Sequence, residues 1–211
     1  MSLDPAPHLN AVTRCVAGGD REGEPIHDVT LTRAYPFSRA ELWAALTTPA
    51  QLAQWFLPVR GALELGGRYQ LEGNAGGDIV ACEPDRRFEL SWEFGNDVSW
   101  VGVEVEDDGT GTRLTLTHTS RPTPQWTEYG PGAVGVGWEL ALLALARHLA
   151  GEPKLDEEAF VASPEGRALI TSSSEGWGQA SLASGTDAAE AEAAARNTTA
   201  FYTGVSVDTD G

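Results

Sequence analysis

Residues 130–135 read GPGAVG, which fits the G-x-G-x-x-G pattern of a dinucleotide-binding turn and runs into the apolar segment VGWELALLALARHLA. In such a turn glycines let backbone N–H groups approach a pyrophosphate at a helix N-terminus. The pattern therefore has meaning only behind a strand and within a βαβ unit. Here Pro122 and Pro124 break the preceding segment, which reads as a loop, and GEPKLDEE follows the helix where a second strand would stand. Pro131 also has no N–H to offer a phosphate. The motif is read as a helix entrance in which glycines let the chain bend close to the sheet, and no cofactor is expected.

A second set of candidates is the titratable one. His118 alternates with Leu114 and Leu116, so it should point toward the helix, where Glu139 near the helix entrance would make a proton-transfer partner. The plainer alternative is a hydrogen-bonded, inert histidine at a strand end. We adopt that alternative and assign no catalytic residue, since only geometry and a perturbed pKa could raise the first. His8, His27 and His148 are scattered without H-E-x-x-H spacing, and two lone cysteines, Cys15 and Cys82, make no metal-ligand set. Ser172, Ser173 and Ser174 lack a G-x-S-x-G frame, so nucleophilic catalysis has no support.

Composition limits what such residues can serve. With 211 residues, 41% hydrophobic, and seven Trp, the chain can bury a substantial core. Its net charge of −17 repels nucleic acid and anionic membrane surfaces, so neither is an expected partner. The N-terminal MSLDPAPHLN lacks the basic and apolar regions of a signal peptide, and the apolar run from Leu140 to Ala146 is far too short to cross a bilayer. Two thiols without a framework suit a reducing cytoplasm, which is the expected location.

The elements that would position these residues are legible from period and punctuation. Residues 1–26 show no sustained period and read as a partly ordered arm. Val29, Leu31, Arg33 and Tyr35 then alternate as the apolar face of a strand, with Arg33 out of character. Ser38-Arg39-Ala40-Glu41 is a capping box, with Phe37 and Leu42 placed as a hydrophobic staple, and Thr48-Pro49 opens a second short helix with Pro at its first position. A meander of six strands follows. Its first strand is read at Leu63 and Leu65, turning at Gly66-Gly67, and later turns fall at GNAGG, EPDR, GND and DDGTG. Turns this short require antiparallel neighbours. A long helix spans about 136–150, with Trp138, Leu142, Leu145 and Leu149 on one stripe.

The strings LWAALTTPAQLAQWF, LGGRYQL, LSW, GTRLTLTHT and GPGAVGVGWELALLALARHL resemble the START-like, or SRPBCC, superfamily. Within it they are most similar to the activator-of-heat-shock-protein-ATPase homologue (AHSA-like) branch. The resemblance covers about residues 27–150. It implies an α+β helix-grip fold: a seven-stranded antiparallel sheet wrapped around the long helix, with a cavity between them. Members of the superfamily bind lipids, polyketides, hormones or other apolar molecules in that cavity, some act as cyclases or aromatases, and eukaryotic members of the branch contact a heat-shock chaperone. The expected function is thus binding of a small apolar or aromatic ligand, with a cyclase- or aromatase-type enzyme or a co-chaperone as alternatives. Trp55, Tyr69, Phe88, Trp92, His118, Trp138, Glu139 and Leu142 are the expected lining, with Arg33 near it, whereas Trp43 is read as core.

Residues 151–211 extend beyond the domain of 27–150. Ser163-Pro164-Glu165 and Asp187-Ala188-Ala189-Glu190 each start a helix, the first with a stripe of Leu169, Ile170, Ser173, Trp177 and Ala180, the second ending at Gly204. With Leu182, Phe201 and Tyr202 the segment carries too much apolar surface for a solvated tail. The helices are expected to dock, covering the outer sheet face near Trp100, or to form a contact between two copies.

Overall fold

A computed structural model of the chain describes residues 6–204. Its strands are β1 (Val12–Arg21), β2 (Glu24–Tyr35), β3 (Val59–Gly61), β4 (Arg68–Leu71), β5 (Gly76–Glu83), β6 (Arg87–Phe94), β7 (Asp97–Asp108) and β8 (Gly111–Ser120). They form one sheet in the order β1-β2-β8-β7-β6-β5-β4-β3, so the sheet has eight strands, not seven. The additional strand is β1, which lies in the stretch read as an arm. Only Val12 of β1 is buried, so no apolar period marked it. The chain divides into two compact units. The first contains residues 1–31, 122–140 and 155–211, and the second residues 32–121 and 141–154. The borders between the units run inside β2 and inside the long helix.

In the second unit short turns set the register. Asp108 pairs with Gly111 across Gly109-Thr110, and Phe94 with Asp97 across Gly95-Asn96, with φ of 66° at Gly109 and 62° at Gly95. Both values lie where a Cβ is disfavoured, which is why glycine opens each turn. At the β5–β6 turn Pro84 is followed by Asp85 at φ 59°, and the Arg86 N–H donates to the Glu83 carbonyl over 3.0 Å. The first meander strand differs from expectation. It is Val59–Gly61, and residues 62–67 form its connection to β4. Leu63 packs inward but Leu65 is exposed, so their alternation is that of a loop with one anchor.

Helices α2 (Arg39–Thr47) and α3 (Pro49–Trp55) follow β2. Both halves of the capping box form: the Ser38 hydroxyl accepts from the Glu41 N–H, and the Glu41 carboxylate accepts from the Ser38 N–H at 2.9 Å. Pro49 sits at the start of α3, although the Thr48 side chain makes no cap bond there. Val101, Val103, Val105, Leu114 and Leu116 supply the buried inner face of β7 and β8. The Arg33 guanidinium, unexpected on the apolar face of β2, has a partner. It donates to the Leu142 carbonyl at 3.3 Å and lies 5.1 Å from the Tyr35 ring centre, while the Tyr35 hydroxyl donates to the same carbonyl at 3.2 Å.

The first unit is built around the N-terminal half of the long helix, α5 (Gly132–Leu149), which starts four residues earlier than its apolar period suggests. Before it stands α4 (Pro124–Tyr129), where a loop was expected. Thr123 caps it, its hydroxyl accepting from the Trp126 N–H at 3.2 Å, and Pro124 is its first residue. After it come α6 (Glu157–Ala162), α7 (Pro164–Ala183) and α8 (Ala188–Thr203), in addition to the short α1 (Ala6–Asn10) near the start of the chain. Ser163 and Asp187 cap α7 and α8 as expected, and Gly204 closes α8 at φ 65°. The glycines of GPGAVG face these helices, not the sheet. A methyl group on Gly135 would overlap the Trp177 indole, and one on Gly132 would lie 2.8 Å from the Thr198 hydroxyl. Leu169, Ile170, Ser173 and Trp177 are buried, but Leu182 and Phe201 are exposed. Trp100 on the outer sheet face is covered by Arg121, whose guanidinium carbon stands 4.9 Å from its ring centre.

Candidate functional site

The register of β6 and β7 places Phe88 opposite Val103, Leu90 opposite Val101 and Trp92 opposite Ser99. All six therefore point to the inner face of the sheet in the second unit. Tyr69, Leu71 and Ile79 make a buried cluster against which Phe56, Leu57, Leu90 and Trp92 pack, each only partly buried. The inner face thus changes character along its width: β7 and β8 are sealed, whereas Phe88, Leu90 and Trp92 on β6 keep contact with solvent and Phe94 is 60% exposed.

Each polar tip around this patch is held. The Trp55 indole N–H donates to the Ala45 carbonyl at 3.0 Å, with the ring stacked on Phe56. The Tyr69 hydroxyl donates to the Ser91 carbonyl at 2.9 Å, and burial pushes its pKa up. Trp43 meets Phe88 edge-on at 5.8 Å, half-buried. His118 is buried, meets the Trp92 ring edge-on at 6.3 Å, and lies with Nε2 3.0 Å from the Ser99 hydroxyl. The Ser99 hydroxyl also donates to the Trp92 carbonyl at 3.2 Å, which links Trp92, Ser99 and His118. Burial lowers the His118 pKa to about 4, leaving the ring neutral near pH 7. Ser99 was not singled out from sequence, although it is in phase with Val101, Val103 and Val105.

The α5 residues of the expected lining have different surroundings. The Leu142 carbonyl receives Arg33 and Tyr35, and its side chain is buried in the second unit. Trp138 and Glu139 belong to the first unit. Glu139 is 4% exposed and is clamped by Arg14 of β1, whose Nε and Nη2 donate to its two oxygens at 2.6 Å each. No sequence signal linked residues so far apart. This bidentate pair occupies the carboxylate that proton transfer with His118 would have required. Among the described residues no three His, Cys, Asp or Glu side chains gather as a metal ion would need, and no helix is long and apolar enough to cross a membrane.

Residues 36–150 match the family described as activator of Hsp90 ATPase homolog 1-like protein. The chain belongs to this family. Its fold is the helix grip, as in CalU16 from Micromonospora echinospora. The crystal structure of CalU16 is 30% identical over 81% of this chain and 98% of that one, with a TM-score of 0.67. The CalU16 solution structure, also 30% identical, gives 0.71 over 82% and 97% of the two chains. These spans exceed the family match, so the likeness to CalU16 takes in residues outside 36–150. DynU16, a protein in the dynemicin biosynthetic locus, is 25% identical over 61% of this chain and half of its own, with a TM-score of 0.53. A comparison with curated proteins finds no match.

Proposed function

We propose that this family member binds a small apolar or aromatic molecule on the inner face of its second unit, over Tyr69, Phe88, Leu90 and Trp92, and that it does so in the cytoplasm. The observation that carries the reading is the partial exposure of Phe88, Leu90 and Trp92 beside sealed neighbours on β7. Leaving aromatic area in water is unfavourable, and a ligand that covers it gains about 25 cal/mol per Å² of apolar surface removed from water. Such sites combine apolar walls with few fixed polar groups. His118 and Ser99 are the groups beside Trp92, oriented by the chain through Trp92, Ser99 and His118. DynU16 comes from a biosynthetic locus, and we assign the ligand to the same broad class, a product or intermediate of a biosynthetic pathway. Binding is favoured over proton transfer because Glu139 is held by Arg14 and burial keeps His118 neutral near pH 7.

Native mass spectrometry of freshly purified protein should show a bound small molecule. An apolar fluorophore should compete with it, and Trp92→Ala should weaken fluorophore binding about tenfold while the fold persists. Burial of a core Trp is worth about 3–5 kcal/mol, so a variant that simply unfolds would mark Trp92 as core and defeat the assignment. The family description favours a second reading, contact with a heat-shock ATPase, which a change in that ATPase rate on adding the protein would support.

A further inference from the structure

The stripe of α8 that faces its neighbours runs through Ala191, Ala194 and Thr198, all buried, and reaches Phe201 one turn later, where the side chain is 65% exposed. The Phe201 ring stands 5.5 Å from Tyr129 of α4 and 5.2 Å from Tyr202, edge-on to the latter. Tyr202 is anchored, its hydroxyl donating to the Ala133 carbonyl at 2.9 Å. Phe201 is therefore an aromatic face fixed in place by two neighbouring rings. Carboxylates lie beside these tyrosines. Glu128, next to Tyr129 in α4, is the main cause that holds the Tyr129 hydroxyl above the ordinary tyrosine range, and burial, with a smaller effect of the Glu157 carboxylate of α6, does the same at Tyr202. The surroundings share this sign: the first unit holds 17 of the 31 acidic residues but only four of the 14 basic ones.

We propose that Tyr129, Phe201 and Tyr202, with Glu128 and Glu157, form a docking site for an arginine-bearing segment of a partner protein, one guanidinium lying on the Phe201 ring. An aromatic face attracts a cation and apolar stem together, and nearby carboxylates accept the guanidinium N–H groups. The negative field of the unit draws a basic segment in and opposes both a second copy of this chain and an anionic surface. The site is independent of the ligand-binding reading, as its residues lie in the first unit.

The test uses the full chain and a labelled, arginine-rich peptide of about seven residues, followed by fluorescence anisotropy at ~150 mM salt, where diffuse attraction is screened beyond about 8 Å. Phe201→Ala changes no charge and should weaken binding about fivefold, Glu128→Gln should weaken it comparably, and Leu182→Ala on an exposed part of α7 should leave it unchanged. A peptide with citrulline in place of arginine should not bind. Equal affinity for wild type and Phe201→Ala, with circular dichroism showing both folded, would overturn the site. So would a wild-type dimer that Phe201→Ala dissociates without altering peptide binding, since the patch would then join two copies.

Discussion

His118 is the residue whose environment departs furthest from what a sequence can specify. Its imidazole has a pKa of about 4, against 6.5 for an unburied ring, because burial disfavours its charged form. The consequence for stability has a definite sign. Above pH 6.5 both folded and unfolded rings are neutral. As pH falls, the unfolded ring takes a proton first, so stability is lost between about pH 6.5 and pH 4, by roughly 3 kcal/mol in total. Denaturant titrations across that window should show the loss, and His118→Gln should flatten it. A slope unchanged in the variant would refute the assignment. His27, stacked on Trp126 at 4.0 Å, has its pKa lowered by burial and adds a contribution of the same sign.

At the scale of elements, the contact between α5 and α7 depends on the absence of a side chain. Alanine in place of glycine inside a helix normally stabilises by up to about 1 kcal/mol. At Gly135 the added methyl meets the Trp177 ring, which is itself fully buried. Gly135→Ala should therefore reverse the usual sign and cost about 1–3 kcal/mol, read as a lower midpoint in thermal or denaturant unfolding. Stabilisation by this substitution would mean that α7 does not pack against α5 as described. The same packing explains GPGAVG more fully than a helix entrance does: glycines at 130, 132 and 135 leave room for Ala194, Thr198 and Trp177.

For the whole molecule, the division into units changes what the C-terminal extension does. The first unit gathers three separated segments, with residues 155–211 as the largest, so the extension is a structural part of it. Arg14 of β1 also packs against Gly176 of α7, 3.1 Å from where a Cβ would stand. Truncation after Leu155 should lower the melting temperature and remove amide-exchange protection from β1, while β6 and β7 of the second unit keep more of theirs. Unchanged β1 protection in the shortened chain would show that β1 does not depend on the extension.

What the sequence determined by itself is what depends on neighbours a few residues apart. The capping box at Ser38 and Glu41, the caps at Ser163 and Asp187, the end at Gly204 and the turns at Gly95 and Gly109 all follow from local backbone chemistry. So does the alternation that buries Val29, Leu31 and Tyr35. The Thr123-Pro124 start of α4 carried the same signal as Thr48-Pro49 and was hidden by reading its prolines as breakers. Only the tertiary structure decided the rest. β1 is an edge strand with little apolar period, and pairing makes it a strand. Arg33 on an apolar face is tolerated because a carbonyl of α5 comes to meet it. Glu139 was legible as an acid near the helix entrance and a polar group of the expected lining, but its burial and its partner Arg14, 125 residues away, were not. Whether a side chain is partner, wall or catalyst depends on such long-range contacts, which are set when the whole chain packs and leave no mark in local spacing.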